Sequence, residues 1–94
     1  ENVYCAEVEN VLFSHPAIVD VAVYGRAHHK WGEVPVAAVV LAPGETLEVA
    51  ELSAWLDDRL ARFKHPAALV VLDELPRNAG GKVIKGELRA KDPV

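Results

Sequence analysis

The spacing of apolar positions changes several times along this chain, and each change marks an element. Over residues 6–14, Val8, Val11 and Leu12 share one helical face while Glu7, Glu9 and Asn10 point away. His15-Pro16 ends that helix, because the residue before a proline is pushed off helical angles. Residues 18–24 are rich in valine and predict a strand, and residues 25–30 predict a polar turn. Residues 34–41 are almost wholly apolar, which suits a strand covered on both faces, with Pro35 tolerable near its start. Ala42-Pro43-Gly44-Glu45 is a turn. Thr46 is the expected cap of the next helix, with Glu48 and Glu51 favoured near its positive end. Leu52, Trp55, Leu56, Leu60 and Phe63 follow helical spacing as one apolar stripe, and Pro66 lies just beyond it. Residues 68–72 predict a third buried strand, 73–82 a loop and 85–90 a short last helix. The order α-β-β-α-β-loop-α predicts a small α+β domain, with a roughly three-stranded sheet packed by helices.

Composition narrows the classes. Ninety-four residues make one domain, 1–94, and the apolar share of 51% suffices for a modest core. The net charge of −4 argues against nucleic-acid binding, which calls for a basic face. No apolar run approaches ~18 residues, so no transmembrane segment is expected. The single Cys5 has no partner for an internal disulfide, which fits a reducing compartment, and the cytoplasm is the expected location. The chain starts at Glu1 with no Met and no signal-like stretch, and so reads as a piece of a larger protein.

The candidate chemistry lies in Pro76-Arg77-Asn78-Ala79-Gly80-Gly81-Lys82. Glycines at 80 and 81 allow positive φ and close approach of the backbone to a ligand. The ammonium of Lys82 is a compact charge suited to a phosphate or carboxylate. The plain alternative is a surface hairpin whose lysine is merely solvated. A Walker A loop is excluded, since it needs Gly where Pro76 stands and Ser or Thr where Val83 stands. His28, His29 and Lys30 form a polar cluster, but no second Cys/His pair has metal-ligand spacing and no metal site is expected. His15 and His65 each precede a proline and read as turn residues. Arg59 is expected to lay its stem over the core, and Lys64 to meet the negative end of a helix. Asp57 and Asp58 are adjacent, project differently from a helix and make no acid–base pair.

Several blocks resemble the C-terminal domain of acyl-CoA synthetases, within the adenylate-forming superfamily. They are Glu1-Asn2-Val3-Tyr4-Cys5-Ala6-Glu7-Val8-Glu9, His15-Pro16-Ala17-Ile18-Val19-Asp20-Val21-Ala22-Val23 and Trp31-Gly32-Glu33-Val34-Pro35-Val36-Ala37. Phe63-Lys64-His65-Pro66 and Leu75-Pro76-Arg77-Asn78 through Gly81-Lys82 complete the set, in register over nearly the whole chain. In that family the first block usually follows a glycine pair and carries proline where Cys5 stands, and the hinge residue falls just before Glu1.

The resemblance implies a mobile lid on a large N-terminal domain that binds ATP, Mg2+ and a carboxylic acid, here a fatty or aryl acid. It implies acyl-adenylate formation with Lys82 as the catalytic lysine, then lid rotation and transfer of the acyl group to coenzyme A. Glu1, Asn2, Tyr4 and Gly81 are the implied contacts near the adenylate or thiol site. The isolated domain is expected to be inactive and to hold none of these cofactors. Two other readings stand beside it: the lid of an adenylation domain that loads a carrier protein, and a non-catalytic anion-binding module.

Overall fold

A computed structural model of the chain describes residues 4–93. Its order is α1 (Cys5–Leu12), β1 (Ile18–His28), β2 (Gly32–Leu41), α2 (Val49–Leu56), a 3₁₀ turn (Arg62–Lys64), β3 (Ala68–Val71) and α3 (Lys85–Ala90). The strands form one sheet in the order β1-β2-β3. β1 and β2 are an antiparallel hairpin, and β3 lies parallel to β2. A parallel neighbour requires a crossover, and α2 supplies it. The α+β order expected from sequence is therefore the observed one.

β2 is the central strand, and this explains its unbroken apolar run. Ala37 and Val39 face a core built with Val8 and Leu12 of α1 and Leu52 and Leu56 of α2. Val36 and Ala38 face a second cluster with Tyr24, Leu75 and Leu88. All four of these β2 residues are fully buried, so both faces of the strand are covered. The sheet thus has helices α1 and α2 on one side and α3 on the other. No helix of the described residues is long and apolar enough to cross a membrane.

Five local expectations are corrected. The stretch 25–30 is not a turn: β1 continues to His28, with Gly25, Arg26, Ala27 and His28 opposite Pro35, Val34, Glu33 and Gly32. Backbone pairing, not apolar content, defines this extension, and Gly32 at φ +80° closes the short connection. The long stripe does not make one long helix. α2 ends at Leu56, and Leu60 enters the core from a turn, while Phe63 on the 3₁₀ turn is 68% exposed. Thr46 does not cap α2; the N-cap is Glu48, whose N–H donates to Glu51 Oε1 at 2.9 Å. β3 is a half-buried edge strand rather than a buried one, with Val71 exposed. Lys64, expected to neutralise a helix end, instead pairs with Glu7 of α1 at 2.8 Å.

Candidate functional site

The segment between β3 and α3 is a closed, hydrogen-bonded turn. Arg77 and Val83 form an antiparallel bridge. Asn78 N–H donates to Lys82 O at 2.9 Å, Gly81 N–H to Asn78 O at 2.9 Å, and Ile84 N–H to Pro76 O at 2.9 Å. Asn78 Oδ1 accepts from the N–H groups of Gly80 (2.9 Å) and Lys82 (3.0 Å). Asn suits this position because its short amide caps neighbouring backbone donors. Of the two glycines only Gly81 has positive φ, at +86°. Residues 77–83 are thus a shaped turn that sets the direction of Lys82.

This distinction gives a first prediction. A Cβ on Gly80 meets Asn78 Oδ1 at 3.4 Å, an ordinary contact, while a Cβ on Gly81 meets nothing but inherits the unfavourable φ. Gly81→Ala is expected to distort the turn at a cost of about 1–3 kcal/mol, and Gly80→Ala to be tolerated. Urea unfolding of the two variants checks this, with loss of stability confined to Gly81→Ala.

Lys82 projects into an open cleft lined by Glu9 and Phe13 of α1, Val21 and Ala22 of β1, and Arg77, Val83 and Lys85. Its neighbours are paired. Arg77 donates to Asp20 Oδ2 at 2.7 Å and to Gly81 O at 2.6 Å. Lys85 lies 2.8 Å from Glu9 Oε2, which also accepts from Val23 N–H at 2.8 Å. Lys82 is exposed, and its ammonium makes no hydrogen bond or ion pair among the described residues. An anion entering the cleft therefore meets an available cation.

Tyr4 sits elsewhere. It is the N-cap of α1, whereas Phe13 beside Lys82 is the C-cap, so the length of an eight-residue helix separates them, about 12 Å. The Tyr4 ring packs edge-on against Phe63, with centroids 5.9 Å apart. Together with Trp31, Glu33, Val34 and Pro35 these rings line a second cleft. Trp31 is 67% exposed, with Lys30 Nζ 4.9 Å above its ring, and Lys64 Nζ lies 5.6 Å from the Phe63 centroid. The structure brings Gly81 to Lys82 but does not bring Tyr4 there. Glu1 and Asn2 lie outside the described residues.

The histidines have structural duties. His65 is buried between Ser53 Oγ (2.8 Å) and Leu60 O (3.1 Å) and holds the 3₁₀ turn against α2. His28 Nδ1 accepts from the N–H groups of Lys30 and Trp31, closing the β1–β2 connection. His15 Nδ1 accepts from Ala17 N–H, and its ring abuts Trp55, which the Arg59 guanidinium covers at 4.0 Å. Burial, and then the Arg59 charge, lower the His15 pKa from its usual value. Cys5 is buried in the core. Among the described residues no group of three or more His, Cys, Asp or Glu could hold a metal ion.

Two features of these clefts have no counterpart in the sequence reading. Phe63 was expected in a core stripe, and only the early end of α2 exposes it beside Trp31. The pairing of Arg77 with Asp20 joins residues 57 apart and leaves no local signal.

Residues 7–82 match the family model described as the AMP-binding enzyme C-terminal domain. Over 89 residues the chain is 51% identical to an indoleacetate–CoA ligase of Aromatoleum aromaticum, covering 95% of this chain and 18% of that protein. It is 45% identical over 89 residues to the fatty acid–[acyl-carrier-protein] ligase ScoC of Streptomyces coeruleorubidus, covering 95% of this chain and 17% of that protein. A solved structure of o-succinylbenzoate CoA synthetase from Bacillus subtilis, in complex with the acyl-adenylate intermediate OSB-AMP, superposes with a TM-score of 0.86. That match has 46% identity and covers 100% of this chain and 19% of that one. The chain spans about a fifth of the length of the curated relatives it matches.

Proposed function

The chain belongs to the AMP-binding enzyme C-terminal domain family, and from that membership we propose that it is the mobile lid of an ATP-dependent acid–thiol ligase. In this reading a large N-terminal domain binds ATP and an aryl or fatty acid, and Lys82 completes the adenylating site when the lid closes. The observation that carries it is the exposed ammonium of Lys82, without a partner among the described residues, on a hydrogen-bonded turn. Adenylation forces a carboxylate against the α-phosphate, and a cation placed between them stabilises charge that concentrates in the transition state. A lysine on a lid delivers that charge only on closure, which couples chemistry to domain motion.

The chain's own residues fit one part of the nucleotide site, a single cation beside a glycine with positive φ. Among the described residues no group of three or more His, Cys, Asp or Glu comes together, and no step here runs through Mg2+. The cleft of Tyr4, Trp31 and Phe63 supports a second role. Exposed rings flanked by Lys30 and Lys64 suit the nucleotide end of coenzyme A, which offers a base to stack on and phosphates to meet. Its distance from Lys82 fits a lid that presents one cleft for adenylation and the other for thiol transfer.

The similarity to ScoC favours a second acceptor, a carrier protein. The full-length enzyme is expected to release pyrophosphate from ATP in the presence of an aryl or fatty acid. Thioester yield with free coenzyme A against a phosphopantetheinylated carrier then separates the two acceptors, and coenzyme A is the expected one. The isolated domain is expected to be inactive in both steps. Tight binding of pyrophosphate by the domain alone, with no acid-dependent turnover of the full-length protein, would instead mark an anion-binding module.

A further inference from the structure

Three cations stand along the turn at residues 77, 82 and 85, and two of them are held by carboxylates. The geometry points to Asp20 and Glu9 as positioning residues for adenylation, an inference that rests on the reading of Lys82 above. Asp20 on β1 holds Arg77 at 2.7 Å, and the same guanidinium donates to the carbonyl of Gly81, the residue directly before Lys82. Glu9 of α1 accepts from Val23 N–H of β1 and from Lys85, the first residue of α3. The turn is therefore tethered on both sides of Lys82, and both tethers run to β1.

The arrangement has two effects. The first is positional: Lys82 stands between two fixed points rather than on a free loop, and misplacement of a reacting group by about 1 Å can cost on the order of a hundred-fold in rate. The second is electrostatic. Asp20 and Glu9 occupy the flanking cations, all four side chains being partly shielded from solvent, and Lys82 is left as the available positive charge in the cleft. An incoming phosphate is thereby steered to one cation rather than shared among three. Neutralising either carboxylate releases a rival cation beside Lys82 while loosening the turn. ATP should then bind as well as before or better, but in less productive geometry.

The test uses the full-length enzyme and the two half-reactions assayed separately, with Asp20→Asn, Asp20→Glu, Glu9→Gln and Lys82→Ala in parallel. Asparagine at 20 can still accept from Val21 N–H, as Asp20 Oδ1 does at 3.0 Å, and glutamine at 9 can still accept from Val23 N–H, so each change isolates the ion pair. Asp20→Asn and Glu9→Gln are each expected to lower kcat for adenylation on the order of ten-fold, without raising KM for ATP. Thioester formation from supplied acyl-adenylate stays within about two-fold of the parent, and Asp20→Glu restores most of the adenylation rate. Parental adenylation by both neutral variants, with Lys82→Ala impaired, overturns the positioning role alone. Equal loss in both half-reactions also overturns it, because that is the mark of general damage. Parental adenylation by Lys82→Ala overturns the reading of Lys82 itself.

Discussion

Lys82→Ala in the full-length enzyme is expected to slow acyl-adenylate formation by roughly a hundred- to thousand-fold, equivalent to ~2.7–4 kcal/mol of transition-state stabilisation. Thioester formation from supplied acyl-adenylate is expected to continue at close to the parental rate. The asymmetry follows from position. Lys82 lies at the cleft by the C-cap of α1, and the Tyr4–Phe63–Trp31 cleft lies by its N-cap. In the proposed reading, a lid that turns to present the second cleft takes the ammonium away from the phosphates, and the second step is expected not to depend on it. Lys82→Arg is not expected to rescue fully, because a planar guanidinium presents its charge along a different reach and shape. Acid-dependent pyrophosphate release reports the first step, and thioester appearance from supplied adenylate the second. Equal loss in the two assays would refute this division of labour.

The features legible in the sequence are those with a local cause. The buried strand at β2 is visible because a central strand covered on both faces must be apolar at every position. Lys82 is visible because a lysine after two glycines has no use in a core. What was not legible depends on partners distant in sequence. β1 runs on to His28 because Glu33, Val34 and Pro35 are across from it, and polar composition alone reads as a turn. Phe63 keeps helical spacing with Leu56 and Leu60, yet the chain leaves the helix first and carries the ring to the surface. The turn bearing Lys82 reads as loose, because glycines loosen a chain. Asn78, Arg77 and Asp20 close it through contacts that no local pattern announces.

Loss of the Asp92 side chain is expected to destabilise the fold. Asp92 Oδ1 accepts from Tyr24 O–H and from Arg26 NH2, and Oδ2 from Arg26 Nε, each at 2.7 Å. The fork is bidentate and poorly exposed, with 17% of the Arg26 side chain and 11% of the Asp92 side chain accessible. Asp92→Ala leaves a partly buried guanidinium without its counter-charge and the Tyr24 hydroxyl without its acceptor, at a cost on the order of 2–3 kcal/mol. The damage reaches the site, since Asp92 follows α3, the helix that Lys85 begins. The pH dependence has two limbs. Hydrogen bonds from Arg26 hold the Asp92 carboxyl below its ordinary range. Its contribution is therefore present above the unfolded value, about 4, and is lost as pH falls through the depressed one. Burial, and then the hydrogen bond to Asp92, push Tyr24 up to about 12. An unfolded tyrosine ionises near 10, so this contribution is complete below about pH 10 and disappears as pH rises towards 12. Urea unfolding followed by circular dichroism across this range should show stability falling above about pH 10. Tyr24→Phe should flatten that alkaline limb and leave the acid limb in place. If Asp92→Ala unfolds at the parent's urea midpoint, the fork does not anchor α3 to the sheet.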